Sequence, residues 1–302
     1  MDTLVAAALE EDRQPTPAPC GAPPCGEPTV LIKPTHGLAA LGLGDLWPYR
    51  ELLLFLAWRD IKVRYKQTAL GVAWVVLQPL IAVLILNLIF GLLLKVPSGN
   101  VPYAVFACAA LVPWNYFAGA LGKSSTSLVL SANLITKVYF PRLIIPLSAV
   151  VSGLPDLGVS FVVLIGLMAY YRILPTAAVL WLPVLVLLAT LTALAFGLWL
   201  SALNVRYRDV NYLVPFLVQM WMYATPVIYS TDLIPPRYRF LLGLNPMTSV
   251  VEGFRWALLG PDYAPPYLSI GVVGLSLAVL LTVLVTGIIY FRTTERTFAD
   301  VV

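Results

Sequence analysis

The chain has 302 residues, of which 60% are hydrophobic and only 11% charged, with a mean hydropathy of +0.86 and a formal net charge of +4. A soluble fold would be left with too little polar surface, so the composition defines a polytopic membrane protein with room for about six spans and their loops. The small positive balance gives no case for nucleic acid, because the basic residues lie beside predicted span ends, where topology alone places them.

Residues 1–44 carry Pro15, Pro17, Pro19, Pro23, Pro24, Pro28 and Pro34 among small residues, with no basic segment leading a sustained apolar run. This predicts a disordered, proline-rich cytosolic tail and argues against a signal peptide. Cys20 and Cys25 stand in this tail and Cys108 in an apolar run, so three free thiols are expected. The lone His36 leaves no basis for a His-based metal site or triad.

An amphipathic helix is predicted over 45–67. Asp45 suits its N-cap and Pro48 falls in its first turn, where a missing N–H matters little. Trp47, Leu54, Trp58, Ile61 and Tyr65 fall on one stripe at helical spacing, while Glu51, Arg59, Lys62 and Lys66 gather on a neighbouring face. Its apolar run, 52–58, is too short to span, so the helix is expected to lie at the cytosolic headgroup level with its tryptophans at the interface. Arg59, Lys62, Arg64 and Lys66 bring four cations within eight residues, the chemistry that attracts a lipid diphosphate, and arginine has the better fork for it.

Six apolar runs follow, at 69–94, 103–121, 143–171, 177–205, 212–229 and 268–291, within a membrane domain expected over 68–296, with 297–302 as a cytosolic tail. An even number of spans puts both termini on one side. Fourteen lysines and arginines fall on that side against five on the other (Lys95, Arg172, Arg237, Arg239 and Arg255), which places both termini in the cytosol.

Between spans two and three, GKSSTSLVLSANLITKVYFPR is polar at its start, mildly amphipathic over 131–138 and closed by Pro141. A short cytosolic helix across the span ends suits it, against a structureless connector. Between spans five and six, residues 232–267 hold Pro235, Pro236, Asn245, Pro246, Pro261, Pro265 and Pro266 around two short helical patterns, 238–244 and 248–259. Neither can cross the membrane, and a re-entrant pair at the outer face is expected. Pro215 and Pro226 should loosen the span-five helix, and Asn245–Pro246 could act as a hinge for the outer helices.

Enzyme chemistry finds little footing. GALGKSS would need Gly at position 117 to complete a phosphate-binding loop, where the chain has Phe117, and it follows an apolar span and not a strand. No D-x-D, H-E-x-x-H or G-x-S-x-G occurs. Asp156 is the one charge well inside a predicted span, either a pore-facing or partner-bonded acid or a structural hydrogen bond to a neighbouring helix. Tyr103, Phe106, Trp221, Tyr223 and Tyr229 cluster near the outer ends of spans two and five. They read either as an interfacial belt or as a sugar-stacking channel lining, with Gln219 supplying hydrogen bonds and Phe90 a further ring in span one.

Four stretches, WRDIKVRYKQTALGVAWVVLQPL, SANLITKVYFPRLIIPLSAV, NVRYRDVNYLVPFLVQMWMYATPVIY and LNPMTSVVEGFRWALLG, resemble in order and spacing the permease subunit of ABC exporters for O-antigen, teichoic-acid and capsular polysaccharides. The resemblance runs over about 31–296 and leaves out the proline-rich tail. It implies an all-α homodimer of six-span subunits in the bacterial cytoplasmic membrane, joined to two separate ATPase subunits that hold the ATP and Mg. The implied cargo is an undecaprenyl-diphosphate-linked polysaccharide, and no cofactor belongs to this chain. The helix over 45–66 would sit at the lipid-substrate access point. Residues 131–138, with Ser131, Asn133, Leu134 and Lys137, would form the coupling helix, and 232–267, with Pro235, Asn245, Pro246, Glu252 and Arg255, the outer gate. The channel would be lined by Phe90, Gln219, Trp221 and Tyr223. The rival readings are a permease for a drug or simple lipid and a polytopic membrane glycosyltransferase.

Overall fold

The longest helix, α3 (Tyr103–Leu130), is the post on which the other helices are mounted. The computed structural model describes residues 44–66, 71–97, 101–260, 270–295 and 298. The predicted tail up to residue 43, part of the outer segment (261–269) and, apart from Phe298, the C-terminal tail lie outside the described residues, as do Cys20, Cys25 and His36.

A short 3-10 turn, Gly44–Tyr49, leads into α1, Arg50–Lys66. Helix α2, Gly71–Leu86, continues through a π-helical stretch, Asn87–Leu93. After α3 come the six-residue α4, Ala132–Lys137, then α5, Ile144–Val151, and α6, Leu154–Tyr170. Helix α7, Leu182–Arg206, follows a 3-10 turn over Ala177–Trp181 and leads to α8, Val210–Ala224. A 3-10 segment, Pro236–Leu244, precedes α9, Pro246–Leu259, and α10 is Ile270–Glu295. Among the described residues, five helical stretches are long and apolar enough to cross a membrane: Val76–Leu93, Tyr103–Leu130, Ile144–Tyr170, Ala177–Arg206 and Gly271–Glu295.

Three departures from the expected spans have physical causes. Span two was expected to end near residue 121, yet its helix runs through Leu130. Two of the serines there return a bond to their own helix, Ser125 Oγ to the Gly122 carbonyl and Ser127 Oγ to the Ser124 carbonyl, each at 2.7 Å, whereas Ser124 Oγ is buried with no hydrogen-bond partner among the described residues. Their size lets α7 press close, since a Cβ on Gly197 would lie 2.4 Å from Ser124 Oγ, and Asn204 Nδ2 donates to the Ser125 carbonyl at 2.9 Å.

Span three is two helices, broken at Ser152 and Gly153, with Pro155 in the first turn of the second. The predicted span five yields α8, only 15 residues long, about 22 Å, and Pro226 lies beyond its end instead of inside it. Pro215 is within α8 as expected.

The core sits between α3, α7 and α9. In α3 the run of small residues Ala104, Ala107, Ala109, Ala110 and Ala120 is buried, and Ala189, Ala193, Ala195 and Ala202 of α7 answer it. Without a hydrophobic driving force between helices in lipid, such close backbone approach supplies the packing contacts that hold spans together. Helix α10 joins α7 through the stacked rings of Trp199 and Tyr290, whose centroids are 4.5 Å apart. Helix α9 shows why its own ends stop where they do: Asn245 Oδ1 accepts from Met247 N at 3.1 Å, Pro246 opens the first turn, and Gly260 at φ 93° closes the helix.

Candidate functional site

Helix α1 is apolar on two sides. Leu56 and Ala57 are buried inward, with Leu52 and Leu53 packed beside them, whereas Trp47, Leu54 and Trp58 point away from the protein. Of the stripe predicted to meet the membrane, Trp47, Leu54 and Trp58 are thus exposed, whereas Ile61 is half-buried and Tyr65 turns inward.

The four cations of this helix do not form one patch. At 100° per residue Arg59, Lys62 and Lys66 fall within about 60° of one another and Arg64 on the far side. The exposed Arg59 pairs with its neighbour Asp60 at 2.9 Å, and Lys62 and Lys66 are exposed.

Arg64 turns inward and forms an ion pair with Asp156 of α6. Tyr65 donates its phenol hydrogen to Asp156 Oδ1 at 2.6 Å, and Lys123 of α3 reaches Oδ2 at 3.4 Å. Burial first, and then the hydrogen bond to Asp156 and its charge, push the Tyr65 phenol up to about 12, so it remains a neutral donor. The acid in span three is therefore a partner-bonded one, and it ties α1, α3 and α6 into a single junction.

Two cavities meet at this junction. One, of about 660 Å³, is lined by Arg64, Lys123 and Asp156 together with Trp74, Gln78 and Asn115. The other, of about 470 Å³, is lined by Arg59, Arg64 and Lys123 and by the serines Ser127, Ser131 and Ser148. Arg64 and Lys123 border both, so they form the shared wall between a space under α2 and a space under α1. The arrangement can hold an anion while a carboxylate already in place balances part of the charge.

The predicted coupling segment folds as α4. Asn133 and Lys137 are exposed, Leu134 is half-buried, and Ile135 is buried in a cluster with Leu56, Phe140, Leu143, Phe291 and Phe298. Ser131, just before α4, gives its backbone N–H to the carbonyls of Ser127 and Leu128 at 3.1 Å. Beyond α4, the backbone N–H of Arg142 donates to Glu295 Oε1 at 3.2 Å, and the Arg142 side chain reaches the Glu295 carbonyl. The end of α10 thus holds the segment that follows α4.

At the opposite end, α9 is buried along nearly its whole length. Arg255, only 1% exposed, donates to Glu252 Oε1 at 2.9 Å, to the Pro226 carbonyl at 2.7 Å and to the Val227 carbonyl at 2.7 Å. Its guanidinium carbon sits 3.6 Å above the Phe106 ring. Glu252 is likewise buried, so the pair is a fastening between α9, the N-terminal end of α3 and the chain leaving α8.

Asn245 completes that fastening: Nδ2 donates to Thr225 Oγ1 at 2.8 Å and Oδ1 accepts from Trp221 Nε1 at 2.9 Å. Pro235 is exposed beside the 3-10 segment, and Pro246 is buried. The four channel candidates are not brought together on one surface. Trp221 is wedged edge-on between Phe117 and Phe196, with centroids 5.0 and 4.6 Å away. Phe90 stacks on Tyr103 at 6.3 Å, whereas Gln219 and Tyr223 are exposed on α8.

Sequence reasoning counted Lys123 as a loop cation and missed its contact with Asp156; it named Glu252 and Arg255 together as gate residues but not as a buried ion pair. Helical phase marked Arg64 as the odd cation of α1, but no local pattern pointed to Asp156 as its partner.

These features define the class, a multi-pass helical membrane protein with an interfacial helix at one end and packed, broken helices at the other. The chain belongs to the ABC-2 type transporter family, whose pattern it matches over residues 51–259. It is 33% identical to the O-antigen export system permease protein RfbA of Myxococcus xanthus over 213 residues, covering 70% of this chain and 81% of that protein. It is 30% identical to the O-antigen export system permease protein RfbA of Klebsiella pneumoniae over 253 residues, 83% of this chain and 95% of that one. The polysialic acid transport protein KpsM of Escherichia coli is 26% identical over 253 residues, 80% of this chain and 92% of that protein.

Proposed function

We propose that this chain is the membrane subunit of an ATP-driven exporter that carries a lipid-linked polysaccharide across the bacterial cytoplasmic membrane. The observation that carries the reading is similarity over most of the chain to permeases named for two different polysaccharides, O-antigen and polysialic acid. The finer parts of the reading are a homodimer, two copies of a separate ATPase, six spans with α8 as the fifth, and both termini in the cytosol. The lipid diphosphate, as on an undecaprenyl carrier, meets the cations of α1, with Arg64 and Lys123 bordering the cavities behind it. Helix α4 takes up ATPase movement, because its anchored Ile135 and exposed Asn133 and Lys137 suit a lever gripped from outside. Helix α9 and the segment before it close the outer end.

The test is a deletion strain followed by both surface polysaccharide and intracellular lipid-linked glycan. Loss of the surface polymer with accumulation inside supports a permease. Loss of synthesis itself would mark a membrane glycosyltransferase, and an unchanged surface polymer would turn the reading toward an exporter of a drug or simple lipid.

A further inference from the structure

We propose that Asp156 is a resident stand-in for substrate phosphate: it occupies Arg64 and Lys123 while the site is empty, latches α1 to α6, and is exchanged for a phosphate group when a diphosphate arrives. The inference rests on the reading that α1 receives a lipid diphosphate, and it adds how that arrival is sensed.

The geometry supports exchange over a permanent structural pair. Asp156 Oδ2 serves both cations, Arg64 and Lys123, so one carboxylate oxygen is shared between two donors, while Asp60, paired with Arg59, lines the smaller cavity beside them. The side chains are about a third exposed, Arg64 29%, Asp156 29% and Lys123 33%, and they open onto cavities of about 660 and 470 Å³. A buried pair of this kind, sealed from solvent, would have no competitor. Here a diphosphate has room to approach the same two donors, with more oxygens and more charge than a carboxylate offers.

Asp156 also has a place to remain, because Tyr65 and its own helix hold it from the other side: the phenol donates to Oδ1 at 2.6 Å. Release of Arg64 from Asp156 would leave the Tyr65 bond to Asp156 and the packing of Leu52, Leu53 and Leu56 to hold α1. The interfacial helix would then be freer to move just when cargo is present, and basal ATP hydrolysis by the partner subunits would be held low when it is not.

The experiment uses the full transporter complex in lipid nanodiscs, with farnesyl diphosphate as the lipid probe and inorganic pyrophosphate as the soluble one. Asp156→Asn keeps an acceptor for Tyr65 and removes the competing charge. It should bind farnesyl diphosphate about tenfold more tightly than wild type and show raised basal ATPase activity. Its melting temperature should be low without the probe and restored by it, a response that a merely structural acid would not produce. Tyr65→Phe, which touches neither cation, removes the bond that holds the displaced carboxylate and so should weaken farnesyl diphosphate binding, the opposite direction to Asp156→Asn, and it carries the test if the Asn variant fails to assemble.

Pyrophosphate competing as well as farnesyl diphosphate would support exchange with the phosphate as the group recognised; no competition would support exchange reserved for the lipid-borne form. Wild-type binding that Arg64→Gln abolishes, with Asp156→Asn and Tyr65→Phe unchanged in affinity and ATPase rate, overturns the exchange and leaves the access site standing. Binding unaffected by Arg64→Gln and Lys123→Gln, or no binding of either probe, overturns both.

Discussion

Replacing Arg255 by Met is the most direct probe of how the outer end is held. The substitution keeps an unbranched apolar stem over Phe106 but removes the donors to Glu252 and to the carbonyls of Pro226 and Val227, at 2.9, 2.7 and 2.7 Å. With Arg255 1% and Glu252 7% exposed at their side chains, the orphaned carboxylate has almost no water to turn to. Breaking a buried pair from one side costs about 3–5 kcal/mol, most of it the penalty of the charge left behind.

For a chain of this size that corresponds to a fall in melting temperature of roughly 10 °C, measured on the purified complex in detergent. Glu252→Gln should be milder, because the amide still accepts from the guanidinium. The double variant should be less destabilised than the sum of the two, since neither charge is then stranded. Additivity within about 0.5 kcal/mol, or a wild-type melting temperature for Arg255→Met, would refute the assignment of a fastened pair.

Gly197→Ala should destabilise by about 1–3 kcal/mol in the same melting assay, because its Cβ would lie 2.4 Å from Ser124 Oγ; Ser124→Gly should recover part of the loss. Trp221→Phe should lose about 1 kcal/mol through the 2.9 Å bond to Asn245, and Trp221→Ala about 3–5 kcal/mol through its packing, whereas Tyr223→Ala, exposed on the same helix, should lower export at unchanged stability. Cysteines placed at Asn133 or Lys137, in a background with Cys20, Cys25 and Cys108 replaced, should crosslink to the ATPase subunit; an exporting complex with no crosslink anywhere over 131–138 would remove α4 from the coupling role.

Much of the chain was legible because hydropathy and helical phase are local. The interfacial helix, the short α4 and the helical pattern at 248–259 appear within a few residues of where periodicity and prolines put them. Polarity misled at Ser125 and Ser127, since a serine reads as a loop residue unless its return bond to the preceding turn is considered. Charge misled at Lys123 and Arg255. A rule that counts cations by loop cannot register that one is borne by a helix and the other buried against Glu252. The partnership of Arg64 with Asp156 spans 92 positions, and no spacing rule reaches that far.

The distribution of burial separates what is fixed from what has surface left to offer. In α3 the span window is 83% buried, and in the stretch Val76–Leu93 of span one only 11%. Helix α8 buries Val210 and Val214 but leaves Leu213, Phe216, Leu217, Met220 and Tyr223 exposed. An exposed apolar face in a membrane chain is free to meet lipid, a second copy or a passing substrate without breaking internal packing, and the stretch Val76–Leu93 and helix α8 are where such a face is left. Both are tethered to α3 at their ends: Lys123 and Asp156 stand beside Arg64 just ahead of α2, and Arg255 over Phe106 holds the residues just after α8. The two ion-pair clusters therefore fasten the chain next to these less-buried helices, the Asp156 cluster through the end of α1 and the Arg255 pair at the residues that follow α8.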